Sequence, residues 1–326
     1  MELVLGFLTA VVLMLVRRAW DKPASLGELR DVPLDPERLK LHAADVAKAH
    51  GTKPRLRTTR ILLKRLEANY DRITAVYQYL HEKAKTGKPM SPASEWILDN
   101  YYLVEEQAKA ARQELQREGQ VKLPVLDRGP LQGYPRIYAI ALELVSHTDG
   151  RLEQGEIMDF VAAYQEHRVL TQREIEALPL MLKAALLEYL AHLTGKIHGT
   201  ETAWDEAHRL TRLPEENRLP AVETFLQGGQ GNHHGALAME LLRELRAREK
   251  EDPLESYLVQ YFQDLGTTLE KVIEQEHYEQ AARKVSTGNA IVSLKAISLL
   301  DWEEITSSLN RVEQLLRHDP EGLYAA

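Results

Sequence analysis

The chain has no cysteine among its 326 residues. That excludes disulfides, thiolate metal sites and cysteine nucleophiles, and it fits a reducing compartment. It also lacks any Asp-x-Asp pair. Metal-dependent nucleotide-sugar transferases commonly use that pair to hold the ion bridging the diphosphate, because hard cations prefer carboxylate oxygens. There is no H-E-x-x-H, no P-loop and no G-x-G-x-x-G, and His42/His50 and His233/His234 have no companions at ligand spacing along the chain. The expectation is therefore no metal and no cofactor in this chain. Alternating β-branched runs are also missing. The fold class expected is all-α, a multi-helical bundle with two helical subdomains that share a core. The net charge of −8 weighs against non-specific nucleic-acid binding.

What is present is ordinary globular material, 44% apolar and 28% charged. The exception is Leu3 to Val16, an almost purely apolar run followed by Arg17, Arg18 and Trp20. As a helix it spans about 21 Å against a hydrocarbon core of about 30 Å, and flanking residues and snorkelling arginines extend it. Glu2 precedes the run and the arginines follow it, the reverse of a cleaved signal peptide. The polarity implies an uncleaved membrane anchor with the bulk of the chain cytoplasmic.

Organisation beyond it is read as an anchor segment at 1–20, a linker at 21–35, a helical subdomain at 36–118, a linker at 119–133, a second helical subdomain at 134–318 and a tail at 319–326. Leu62, Leu66, Tyr70, Ile73, Tyr77 and Leu80 form one apolar stripe, and Ile97, Tyr101, Val104, Ala108, Ala111 and Leu115 another. Ser91-Pro92, Thr171 with Glu174, Asp252-Pro253 and Asp301 with Glu304 mark helix starts. The stretch GQVKLPVLDRGPLQGYP, 119–135, holds three prolines and three glycines and breaks the helical pattern.

Three constellations bear on chemistry. Glu95, Asp99 and Glu106 share the helix face opposite Ile97. Paired carboxylates serve glycoside acid–base chemistry when they bracket a sugar; a solvated or arginine-paired face is the plainer reading. HTDGRLEQGEI, His147 to Ile157, imitates half a calcium loop, but Val145 and His147 stand where carboxylates are required. A corner turned by Asp149-Gly150 is expected instead. Lys53, Arg55, Arg57, Arg60, Lys64 and Arg65 form a basic cluster suited to anionic lipid head groups or a phosphate-bearing ligand.

The stretch PASEWILDNYYLVEEQ, Pro92 to Gln107, closely resembles a helix near the start of cyclic β-1,2-glucan synthases. The resemblance continues through LPVLDRGPLQGYPRIYAIALELVSHTDGRLE (123–153), FVAAYQEHRVLTQREIEALPLMLKAALLEYL (160–190), STGNAIVSLKAISLLDW (286–302) and VEQLLRHDPEGLYA (312–325), while 198–250 matches only loosely. It implies relation to large enzymes of the bacterial inner membrane that polymerise glucose from UDP-glucose and cyclise the product. It reaches only the helical region ahead of the glycosyltransferase domain, whose catalytic motifs lie outside this chain, so no catalytic residue is assigned. The motif residues Glu95, Trp96, Asp99, Asn100, Glu105, Glu106, Gln107, Tyr134, Pro135, Arg136, His147 and Asp149 are expected to be structural or docking residues. The implied partner is a glycosyltransferase domain or chain, with the membrane engaged through the N-terminal segment and no nucleic acid. A stand-alone membrane-tethered interaction protein is the alternative, and a self-sufficient enzyme using Glu95, Asp99 or Glu106 a third reading.

Overall fold

The computed structural model describes residues 32–54, 59–117, 123–228, 233–247 and 252–311. The expected anchor at 1–20, most of the linker at 21–35, Arg55, Arg57, the 312–325 block and the tail lie outside them. Among the described residues the chain is all-α: twelve α-helices and a single pair of two-residue strands. None of these helices is long and apolar enough to cross a membrane.

Helix α1 (Pro36–Ala49) starts where the Asp35 side chain accepts from the Arg38 amide and Pro36 pre-sets the first turn. Helices α2 (Thr59–Lys85) and α3 (Pro92–Arg117) form an antiparallel pair. Their seam is made by the two stripes read from the sequence: Leu62, Leu66, Ile73 and Leu80 on one side, Ile97, Val104, Ala108, Ala111 and Leu115 on the other, all buried. The aromatics of those stripes sit at the rim, where Tyr77 stacks on Tyr101 at a ring separation of 3.8 Å. Strands β1 (Thr52–Lys53) and β2 (Val125–Leu126) pair antiparallel, Thr52 opposite Leu126. The proline-rich stretch between the two helical groups is therefore folded onto the body, with Leu123, Val125, Leu126 and Leu131 buried.

Helix α4 (Arg136–His147) and α5 (Gln154–Gln165) flank the Asp149-Gly150 corner. The short α6 (Gln172–Glu176) opens on the expected Thr171/Glu174 capping box. Helix α7 (Leu178–Thr211) is the axis of the molecule. At 34 residues it runs about 50 Å and packs against α2, α3, α4 and α11. Helices α8 (Glu215–Gln227), α9 (His234–Arg246) and α10 (Pro253–Asp264) gather around its C-terminal end. Helix α11 (Leu269–Ala296) returns along α3 and α7, continues as a 3-10 turn (Ile297–Leu299) and hands over to α12 (Trp302–Leu309).

The core falls into two hydrophobic clusters. One joins residues 39–197 with 290–309, so helices from either side of the 119–133 stretch share it. The other is built from residues 203–269. Helices α7 and α11 thread both.

A buried charge sits in the first cluster. The Glu188 carboxylate on α7 takes the Arg65 guanidinium in a two-pronged pair, the Asn69 amide at 3.2 Å and the Tyr138 hydroxyl. Arg65 also lies 5.0 Å over the Tyr134 ring. Burial and the neighbouring Glu188 charge push the Tyr138 hydroxyl well above its usual range, so it stays a donor. Glu188→Ala strands Arg65 inside the core and is expected to cost about 3–5 kcal/mol, read as a lower urea midpoint. Arg65→Met with Glu188→Leu should recover only part of that, because Tyr138 and Asn69 remain without their acceptor.

Candidate functional site

Helix α3 presents Glu95, Asp99 and Glu106 to solvent, with Tyr102 exposed in the gap between them. The spacing of 4, 3 and 4 places all four on one stripe opposite Ile97. The grooves of about 550 and 350 Å³ along α2 are lined by other residues, among them Tyr79, Lys83 and Asp205 in one and Tyr70, Lys109 and Arg112 in the other. A second carboxyl bracketing a sugar is what glycoside chemistry needs, and a single convex helix face does not supply that bracket.

The other motif residues of α3 point to its neighbours. Trp96 lies over α11, where a side chain at Gly288 would begin 3.7 Å from the indole. Asn100 donates back to the Trp96 carbonyl at 3.0 Å. Glu105 is at the seam with α2, accepting from Tyr70, and a hydrogen bond from Lys109 holds its carboxyl below the usual range. Gln107 accepts from Ser298 at 3.2 Å.

The second motif group meets the same helix from the other side. Asp149 takes a left-handed conformation, φ 54°, and Gly150 follows at φ 71°. Asp149 accepts from Tyr189 at 2.9 Å and Ser286 at 2.5 Å, while its carbonyl accepts from Asn289 at 3.3 Å. Ser293 accepts from the Leu152 amide at 3.0 Å. The corner expected at Asp149-Gly150 is thus present, and it is clasped by α11. Trp96, Asp149 and the segment Ser286 to Ser293 form one junction.

Tyr134, Pro135 and Arg136 differ from a surface corner. All three are buried, and Arg136 forks onto Glu174 at 2.9 and 2.6 Å while reaching the Val169 carbonyl. Glu174 simultaneously closes the Thr171 capping box. Among the basic residues, Lys53, Arg60 and Lys64 are exposed, but Arg65 turns inward onto Glu188 and does not present its charge to a lipid or phosphate. The reason is helical phase: Arg65 neighbours Leu62 and Leu66 on the buried side.

Sequence spacing missed two features. His147 meets Glu143 one turn back and His42 from α1, with His42 Nε2 2.8 Å and His147 Nε2 3.6 Å from Glu143 Oε2. Burial pushes the Glu143 carboxyl up, but hydrogen bonds from His147 and His42 outweigh it and hold it at about 2. The second is an exposed apolar seam. Tyr278, Val285, Val292 and Leu299 are 71, 57, 59 and 77% exposed. They recur every seven residues along α11 and its 3-10 extension, with Ala282, Asn289 and Ala296 between them. This is the spacing of a helix that offers one side to a partner.

The described residues thus form an all-α body whose motif residues mostly lock helices together, beside an exposed apolar seam. No family model matches the chain. It is similar to the cyclic beta-(1,2)-glucan synthase NdvB of Rhizobium meliloti (strain 1021), with 27% identity over 264 residues, which is 79% of this chain and 9% of that protein. The likeness supports relation to a glucan synthase, as the motifs imply. The chain spans less than a tenth of the length of this relative.

The two glycines of the junction should respond oppositely to a methyl group. At Gly150 the φ is left-handed and a Cβ would sit 3.0 Å from Tyr189, so Gly150→Ala is expected to cost about 1–3 kcal/mol. At Gly288 the nearest contact is ordinary van der Waals distance. Gly288→Ala should therefore be neutral or stabilising by up to about 1 kcal/mol. Urea denaturation of both variants checks the contrast.

Proposed function

We propose that this chain is a non-catalytic helical module of a cyclic β-1,2-glucan synthase system, docking a UDP-glucose-dependent glycosyltransferase domain or chain at the bacterial inner membrane. The observation that carries the reading is the seam of Tyr278, Val285, Val292 and Leu299. Leaving large apolar side chains in water at heptad spacing costs stability unless a partner covers them. The likeness to a glucan synthase supports the class of partner. The acidic stripe of α3, with Tyr102 at its centre, supplies a second, polar contact surface. The Tyr134-Pro135-Arg136 corner is given the structural part, being buried with Arg136 spent on Glu174.

The test is Val285→Glu with Val292→Glu in native membranes. Both side chains are exposed, so the fold should survive, as circular dichroism will report. Crosslinking to the transferase is expected to fall about tenfold, equivalent to about 1.4 kcal/mol of association, with glucan output falling alongside. Unchanged crosslinking and output would remove the seam from the docking surface. Capture of a partner without glucan chemistry would favour the stand-alone interaction protein. Turnover of UDP-glucose by the purified chain alone would make it an enzyme.

A further inference from the structure

We propose that His42, Glu143 and His147 form a binding site for a first-row divalent transition metal, with zinc the fitting ion. Glu143 and His147 are four residues apart on α4 and so share one face of it, while His42 crosses from α1. Their ligand atoms all lie within 4.8 Å of one another. Donors about 2.0–2.1 Å from a tetrahedral ion are about 3.3 Å apart. The two separations onto Glu143 Oε2, 2.8 and 3.6 Å, bracket that value. The imidazoles meet edge to face, with centroids 4.3 Å apart.

The surroundings of His147 favour a cation at this point. Its Nδ1 lies 2.8 Å from the Val32 carbonyl, which can only accept, so Nδ1 carries a proton. In the neutral imidazole the lone pair is then on Nε2, the nitrogen that faces the Glu143 carboxylate. Either a second proton or a metal ion on Nε2 bridges it to the carboxylate, so the same geometry that lets His147 donate to Glu143 also presents a ligand atom beside it. A backbone carbonyl on the far nitrogen is also the usual device that orients a metal-bound histidine. The position is held from two sides, since the Leu34 amide donates to the His147 carbonyl at 2.9 Å.

Two imidazoles and one carboxylate suit zinc and its neighbours better than magnesium or calcium, which take oxygen ligands. The side chains of His42, Glu143 and His147 are 28, 18 and 9% exposed, leaving the site open on the His42 side for a fourth ligand. The other cluster of this kind among the described residues, His208 with Glu240 and Glu244, already contains a cation: Arg243 pairs with both carboxylates. It serves as the internal control.

The experiment uses the full chain, stripped with chelator and dialysed against zinc or cobalt(II). One equivalent of zinc per chain is expected, with a rise in melting temperature and visible absorption typical of tetrahedral cobalt. His42→Ala, at the open rim, and Glu143→Gln should each weaken binding about 100-fold or more while keeping native circular dichroism, and His208→Asn should bind like the parent. Sub-stoichiometric zinc in the parent, full binding in both variants, or loss confined to His208→Asn would overturn the site. So would histidine NMR titrations that show protonation of the pair and no response to zinc.

Discussion

A carboxylate that gives up water must have its donors in place, and Glu188 sets that condition at the middle of the molecule. The cluster joins three helices: Arg65 and Asn69 from α2 and Tyr138 from α4 meet Glu188 on α7. Apolar surfaces slide with little penalty, whereas a buried ion pair has one satisfactory registry. We read the pair as the contact that fixes how α2 and α4 lie along the axial helix. The Arg136–Glu174 fork does the same one layer away for α4 and α6. Two buried arginines, each spent on one glutamate, thus orient the helices that the apolar stripes bring together.

The motif residues make sense within that frame. Trp96 packs over Gly288, and Asp149 takes the hydroxyl of Ser286 and, through its carbonyl, the amide of Asn289. Small and polar residues in the middle of α11 face inward beside Ile291 and Leu294, while Val285 and Val292 face outward. The same helix packs on the body through Ser286, Thr287, Gly288 and Ser293 and leaves Val285 and Val292 exposed. That division leaves one side of the helix exposed without costing it an internal contact.

Local signals carried much of this architecture in legible form. The stripes of α2 and α3, the Ser91 and Asp301 starts, the Thr171 box and the Asp149-Gly150 corner depend on neighbours three to seven residues away, which periodicity captures. Arg65 was placed in a surface cluster because charge was counted along the chain, while its phase beside Leu62 and Leu66 turns it inward. Glu188 lies 123 residues from Arg65, and Glu143 lies 101 from His42. No spacing rule reaches across such gaps. The seam of α11 escaped for another reason: with apolar residues on both sides, the helix shows no single hydrophobic face for a pattern to find.

The clasp on the Asp149 corner carries a cost in time. Its closing residues, Ser286 and Asn289, are 137 and 140 positions downstream, and Gln165 waits 144 positions for the Leu309 carbonyl. At a synthesis rate of about 5–20 residues per second, the corner waits roughly 7–30 s for the α11 residues that close it. Such late closure is the habit of proteins rich in distant contacts, which fold slowly. The helix that closes the corner also carries the exposed seam, so the seam is synthesised only after most of the body it packs on.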